Sequence, residues 1–279
     1  VKNTLTSIIV ARERQVGEVL TRTKKIWALA LVVCIASVGI GTAAVIQQGN
    51  LRITVLSQVQ PYKLSRNGTD PIAVFVSGHV GTADKSMPPQ LKKLTVKVNR
   101  HGLLQSRGLP VCQIPQIQPA STERALQNCT DSLIGSGQFW AHIVLPDQGA
   151  YPTRGRLLIF NGRQNGNQAL LAHIYTANPF ASSFVVPFEI HRIKGGTYGT
   201  QLSASLPQAL GDWGFVDRIK LTLKRKYRFK GKQLSYFNAG CPAPKVFKRT
   251  VFPLAHVSFG FEGQKEISTV VEKSCAVKE

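Results

Sequence analysis

Acidic side chains are scarce in this chain. Fourteen Asp and Glu stand against 35 Lys and Arg, a formal net charge of +21 over 279 residues. Such an excess keeps a protein soluble and draws it to polyanions: nucleic acid, anionic lipid surfaces or acidic wall polymers. Metal-binding spacings are also missing. There is no CxxC, no Cys–His ligand pattern, no HxH and no HExxH, so neither a zinc site nor a metallohydrolase is signalled and no cofactor is implied. The six histidines are scattered, and His142, His173 and His256 lie within apolar runs. No GxSxG elbow occurs; Ser136, in Gly135-Ser136-Gly137, reads as the start of a strand. Gly195-Gly196 has no following helix and makes no phosphate loop. Met87 is the single methionine and residue 1 is Val, as expected of a GUG start read literally or of a fragment.

Hydrophobic residues make up 43% of the chain, enough for a real core and too many for wholesale disorder. They are concentrated first in Ile26–Ile46, IWALALVVCIASVGIGTAAVI, which carries no charge and has about the 20-residue length that spans a bilayer as a helix. Arg12, Arg14, Arg22, Lys24 and Lys25 precede it and would hold the N-terminus in the cytoplasm. Two readings follow: a signal peptide with small residues Thr42 and Ala44 at the −3 and −1 positions, or an anchor with Trp27 near the interface. The expected organisation is a basic segment at 1–25, the signal or anchor at 26–46, and an exported β-rich domain at 47–279 with a sub-boundary near 179.

Five cysteines are present, and Cys34 lies inside the apolar segment. The other four lie beyond it, where export would place them in an oxidising compartment. Of the three connectivities, Cys112–Cys129 and Cys241–Cys275 are the pairs proposed.

Past Leu51 the pattern is short alternating runs, which predicts an antiparallel all-β sandwich. Leu94, Val96 and Val98 alternate with polar residues, and Asn99–Gly102 reads as a turn. RLLIF (Arg156–Phe160) and ALLAHIY (Ala169–Tyr175) read as a hairpin with a long loop from Asn161 to Gly166. Phe259–Glu272 gives another across Glu262-Gly263-Gln264. Further strands are expected at Ile72–Val80, Gln138–Leu145, Phe184–Ile193 and Tyr198–Leu206. One helix is expected over Thr122–Ser132, capped by Ser121, with Glu123 in its first turn. LKKLTVKVNR (Leu91–Arg100) is similar to VDRIKLTLKR (Val216–Arg225), each is followed by a Cys, and FWAHIVL and FPLAHVSF come later in each half. Two related β-units would account for this.

From Arg218 to Lys232, eight of fifteen residues are basic. Arg218, Lys220, Lys224, Lys226 and Arg228 are even-numbered, while Ile219, Leu221, Leu223, Tyr227 and Phe229 are odd. In a strand the two sets face opposite sides, which predicts one strand with a cationic outer face and a turn at Lys230-Gly231-Lys232. Lys220, Lys224, Lys226 and Arg228 are therefore the candidate residues for binding an anionic envelope polymer or lipid surface. A solvated edge strand, or pairing with Glu262, Glu266 or Glu272, would explain the same pattern without a ligand. Asp212 and Asp217 flank Trp213 and are the candidates if the protein is instead a secreted carbohydrate-active enzyme. A structural envelope module with no ligand is the third possibility. Nucleic acid suits the charge but not an exported location. The sequence does not define an oligomeric state.

PPQLKKLTVKVNRHG (Pro88–Gly102), GLPVC (Gly108–Cys112), LGDWGFVDRIKLTL (Leu210–Leu223), GCPAPK (Gly240–Lys245) and Lys273-Ser274-Cys275 resemble a family of uncharacterised exported proteins of high-GC soil actinobacteria. The likeness covers most of the chain from Pro71 onward. It implies export and a bacterial origin and brings no assigned activity. Val246 stands where the family pattern has Gly after PAPK, which removes the expected support for a turn there.

Overall fold

The period-two alternation becomes a ladder of long strands in the computed structural model, which describes residues 42–144, 149–178, 180–206, 214–263 and 266–278. The protein is mostly β, and Gly41–Glu279 is one unit. The first half holds β1 (Thr42–Gln48), β2 (Leu51–Gln60), β3 (Lys63–Leu64), β4 (Asp70–Pro71), β5 (Ala73–Thr82), β6 (Leu91–Asn99) and β7 (Gly102–Leu104). The helical turn α1 (Ile114–Ile117) and helix α2 (Thr122–Cys129) follow, then β8 (Leu133–Ile143), β9 (Tyr151–Gln164) and β10 (Asn167–Thr176). The second half holds β11 (Ser182–Arg192), β12 (Tyr198–Ser205), β13 (Gly214–Leu223), β14 (Lys226–Phe229), β15 (Lys232–Ser235), β16 (Phe237–Ala239), β17 (Arg249–Phe261) and β18 (Ile267–Val277).

Among the described residues, thirteen strands form one sheet in the order β1-β2-β5-β13-β8-β9-β10-β11-β12-β6-β17-β18-β3. Two stacked sheets are the sequence expectation; one continuous, curled sheet is found. Its continuity comes from β10, which pairs with β9 on one side and β11 on the other. The order also repeats. β2-β5-β13-β8-β9 lies on one side of β10 and β11-β12-β6-β17-β18 on the other. Each block is an antiparallel pair (β2 with β5, β11 with β12), a strand from the other half of the chain, and a hairpin (β8–β9, β17–β18). The two stretches alike in sequence are those exchanged strands: β6 sits between β12 and β17, and β13 between β5 and β8. The sub-boundary anticipated near 179 falls between β10 and β11; Pro179 itself is outside the described residues.

The curl brings the ends of the sheet together. Leu51, Ile53 and Val55 of β2 pack in one apolar cluster with Val257, Phe259 and Phe261 of β17 and Ile267 and Val271 of β18. Two residues beyond β2, β3 pairs in parallel with Ala276 and Val277 of β18. The concave face is apolar. The convex face of β9 and β10 is covered as well: Leu158, Phe160, Ala169 and Leu171 pack against Ile117, Ala125, Cys112 and Cys129. Ser121 caps α2 by accepting from the Arg124 amide, as the sequence predicts. Both disulfides form as proposed, Cys112–Cys129 with a Cα separation of 5.6 Å and Cys241–Cys275 with 5.8 Å.

Three local expectations need correction. The β9–β10 hairpin turns on two residues, Asn165 (φ 51°) and Gly166 (φ 79°), instead of a long loop. Positive φ at both central positions gives the turn whose twist matches the flanking strands. Asn161 and Gly162 are therefore inside β9, where Asn161 donates to the Pro110 carbonyl and a Cβ at Gly162 would collide with Leu171. Second, Thr42–Ile46, taken as the end of the apolar helix, are strand residues of β1 paired with β2. The rest of that segment, with Cys34, is outside the described residues. Third, the chain turns at Lys245-Val246 without glycine, with the Phe247 amide donating to the Pro244 carbonyl.

Candidate functional site

The basic stretch is two strands, not one. The Lys224 amide still donates to Ile134 of β8, but one residue later the Arg225 carbonyl accepts from Tyr236, and Lys226 pairs with Ser235 of β15. The chain stays extended while it changes partners, so the alternation survives the break. Arg218, Lys220, Lys224, Lys226 and Arg228 are all exposed. Ile219, Leu221 and Leu223 face the concave side, and Tyr227 is buried, donating its hydroxyl to the Gln105 and Arg107 carbonyls. The β14–β15 turn is Lys230-Gly231, both with positive φ, and Lys232 belongs to β15.

The break divides the candidate cations. Lys226 and Arg228 are on the two-stranded ribbon of β14 and β15. Lys220 is on the main sheet, where it gains neighbours that the local sequence does not announce. Register places Arg218 opposite Trp140 of β8, and Trp140 opposite Arg154 of β9. One step along, Lys220 is opposite Gln138, and Gln138 opposite Arg156. Same-face residues on a strand are about 6.7 Å apart and alternate strands about 10 Å apart. Arg218, Lys220, Arg154 and Arg156 thus mark the corners of a rectangle with Trp140 and Gln138 between them. All four cations are exposed and Trp140 is half-buried. The Arg218 guanidinium carbon and the Lys220 ammonium each lie 5.8 Å from the Trp140 ring centroid. His79, opposite Arg218 on β5, extends the row.

Counter-charge at this rectangle is small. Arg156 helps to hold the Glu123 carboxyl below its usual range, after the larger effects of that residue's own backbone amide and the Ser121 hydroxyl. Among the described residues, no ion pair involves Arg154, Arg218 or Lys220. Beside Lys220 the sheet surface forms a shallow depression walled by Leu56, Gln58, Phe75, Ser77, Gln138 and Thr222. It offers amides, hydroxyls and apolar surface together. The glycines of β8 bring the strands close here: a Cβ at Gly137 would collide with the Lys220 carbonyl.

Of the carboxylates proposed for a carbohydrate-active enzyme, Asp212 lies outside the described residues, as does Trp213. Asp217 occupies the bulge between Val216 and Arg218, its Oδ2 3.8 Å from His142 Nδ1. The His142 ring stacks on Phe215 with centroids 4.9 Å apart. Ser136 is exposed on β8. Among the described residues, no group of three His, Cys, Asp or Glu could hold a metal ion. No helix among them is long and apolar enough to cross a membrane. The two disulfides are consistent with an oxidising, extracytoplasmic location.

Compared with protein-family models, with curated proteins and with solved structures, the chain matches none.

Proposed function

We propose that this is an exported, non-enzymatic protein that binds an acidic cell-surface polysaccharide through the outer face of β13, β8 and β9. The observation that carries the reading is the rectangle of Arg154, Arg156, Arg218 and Lys220 around Trp140. In bulk water, unit charges about 6.7 Å apart repel by roughly 0.6 kcal/mol before screening. Regularly spaced carboxylates or phosphates would turn that repulsion into attraction. An aromatic face between the cations suits a sugar ring, and the neighbouring amides and hydroxyls suit its hydroxyls. An anionic lipid surface would use the same cations but has less need of Gln58, Ser77, Gln138 and Thr222. The reading builds on the candidates first seen in sequence, adding Arg154, Arg156, Arg218 and Trp140 to Lys220.

The test is binding of the full chain to polygalacturonate, with neutral dextran and anionic lipid vesicles as comparisons, across a salt series. Changing Arg154, Arg218 and Lys220 together to Gln should weaken polygalacturonate binding at least tenfold and reduce the salt slope by about two. Changing Lys224, Lys226 and Arg228 together should have the smaller effect. Binding preserved in the first triple variant would discard the reading. Preferential binding to vesicles would move it to membranes.

A second reading, a secreted carbohydrate-active enzyme, has one observation in its favour. Asp217 Oδ1 and His142 Nδ1 are buried without a hydrogen-bond partner, an arrangement that strands rarely leave unexplained. Glycan hydrolysis abolished by Asp217→Asn would establish it.

A further inference from the structure

The concave side of the sheet is not filled. It bounds a partly open cavity of about 300 Å³ whose wall is almost wholly carbon. Protein interiors are close-packed, with few voids larger than a water molecule. An apolar void costs stability in proportion to its size, and water does not offset that cost because apolar cavities stay dry.

The wall has a definite shape. β5 contributes Val74 and Val76, β6 Leu94 and Val96, and β13 Ile219 and Leu221. Each of these strands presents three successive inward positions, about 13 Å of length. On β5 the third is Gly78, where a Cβ would already stand 3.3 Å from Ile219. The volume spread over that length gives a cross-section of roughly 20 Å², which admits one hydrocarbon chain and no fused ring system. The volume is about twice that of a 150 Å³ cavity that takes up benzene, room for roughly 10–12 carbons.

Polar groups gather at one end, where β6 turns into β7. The side chains of Asn99 and Asn238 there donate to the Pro253 and Ser235 carbonyls, and Asn99 also accepts from the His101 amide. Among the described residues, the half-buried His101 ring has no hydrogen-bond partner. We propose that the cavity binds a single medium-length aliphatic chain, with the ligand's polar head against His101. This site is separate from the outer face and does not depend on it: on β13 the cavity takes the odd-numbered residues and the outer face the even-numbered ones.

The test uses the full chain, held in solution with a bile-salt detergent whose ring system is too wide for the cavity. Calorimetric titration with decanoic acid and 1-decanol, below their micelle concentrations, should give one site per chain. The binding heat capacity should be negative, as burial of apolar surface requires. Val76→Phe and Val96→Phe each place a ring in the void and should weaken binding at least tenfold with native circular dichroism; two variants guard against one failing to fold. His101→Ala should weaken decanoic acid more than 1-dodecene, which lacks the polar head. Lys220→Gln should change none of these. Absence of saturable binding to the wild-type chain, or binding unchanged in the folded Phe variants, would overturn the proposal.

Discussion

Lys220 and Trp140 are diagonal neighbours across β13 and β8, with the ammonium 5.8 Å from the indole centroid. Arg218 reaches the same ring from directly opposite. The ring therefore braces two cations of the outer face. Each such contact contributes about 0.5–1 kcal/mol at exposed sites. Trp140→Leu, which removes both contacts, should thus lower affinity for an acidic polymer roughly five- to thirtyfold. The salt slope should stay nearly unchanged, because no charge is removed. A flattened slope in this variant would mean that Trp140 supports the sheet and not the ligand.

The two disulfides close loops of different length. Cys112 and Cys129 are 17 residues apart, Cys241 and Cys275 are 34 apart. Loop-closure entropy assigns them about 3 and about 4 kcal/mol, respectively. Replacing Cys112 and Cys129 by Ser should loosen α1 and α2 locally. Replacing Cys241 and Cys275 should lower the midpoint of the whole unfolding transition further, by roughly 8–15 °C. Thermal denaturation and hydrogen exchange of the paired variants check the order; the reverse ranking would show that chain entropy is not the governing effect.

His173 is fully buried in β10, its Nε2 3.1 Å from the Ala120 carbonyl oxygen and 3.3 Å from Ser183 Oγ. Burial lowers its pKa, against a smaller opposing effect of the Ala120 hydrogen bond. In the unfolded chain the group takes up a proton near pH 6.5; in the folded protein it does so only at lower pH. Its contribution is therefore fully present above about pH 6.5 and is lost as pH falls through the folded value. The slope is at most about 1.4 kcal/mol per pH unit. Denaturation midpoints measured from pH 7.5 to pH 5 should fall in the wild type and fall less steeply in His173→Gln. Equal slopes would place the acid sensitivity elsewhere.

The strand exchange makes the halves interdependent. A chain of residues 42–178 alone contains β6 but neither β12 nor β17, so β6 has no partner on either side. Residues 180–278 alone leave β13 without β5 or β8. Neither piece should unfold cooperatively by itself, and a mixture refolded under oxidising conditions should regain the transition. A cooperative transition in either isolated piece would contradict the interdependence.

What could be read in sequence was whatever depends on near neighbours. Ser121 as a cap, the alternation in β6 and β13, and the turn at Gly263 are all settled within a few residues. Sequence and structure part where two local answers compete. Asn161-Gly162 has the composition of a turn, but the register with Ala169 and Leu170 keeps it in the strand. Thr42–Ile46 is apolar enough for a helix or a strand, and β2 decides for the strand. The proposed binding face is half visible in the sequence. Parity alone marks Lys220, while Arg154 and Arg156 join it only through β8 pairing on both sides. No spacing in the sequence carries that relationship. The cavity was hidden for the same reason, since its walls come from strands far apart in the chain.

The exchanged strands also impose an order in time. β6 leaves the ribosome long before β17, which begins about 150 residues later; at 5–20 residues per second that is a wait on the order of ten seconds. During that interval β6 is a bare edge with an apolar side, the kind of segment that pairs with the wrong strand. Lys93 and Lys97 lie on its other side, as Arg218 and Lys220 do on β13. Lysines on an unpaired edge deter mispairing. Lys93 and Lys97 therefore have a task during synthesis: they deter mispairing of β6 until β12 and β17 follow, whereas β13 finds β5 and β8 already made.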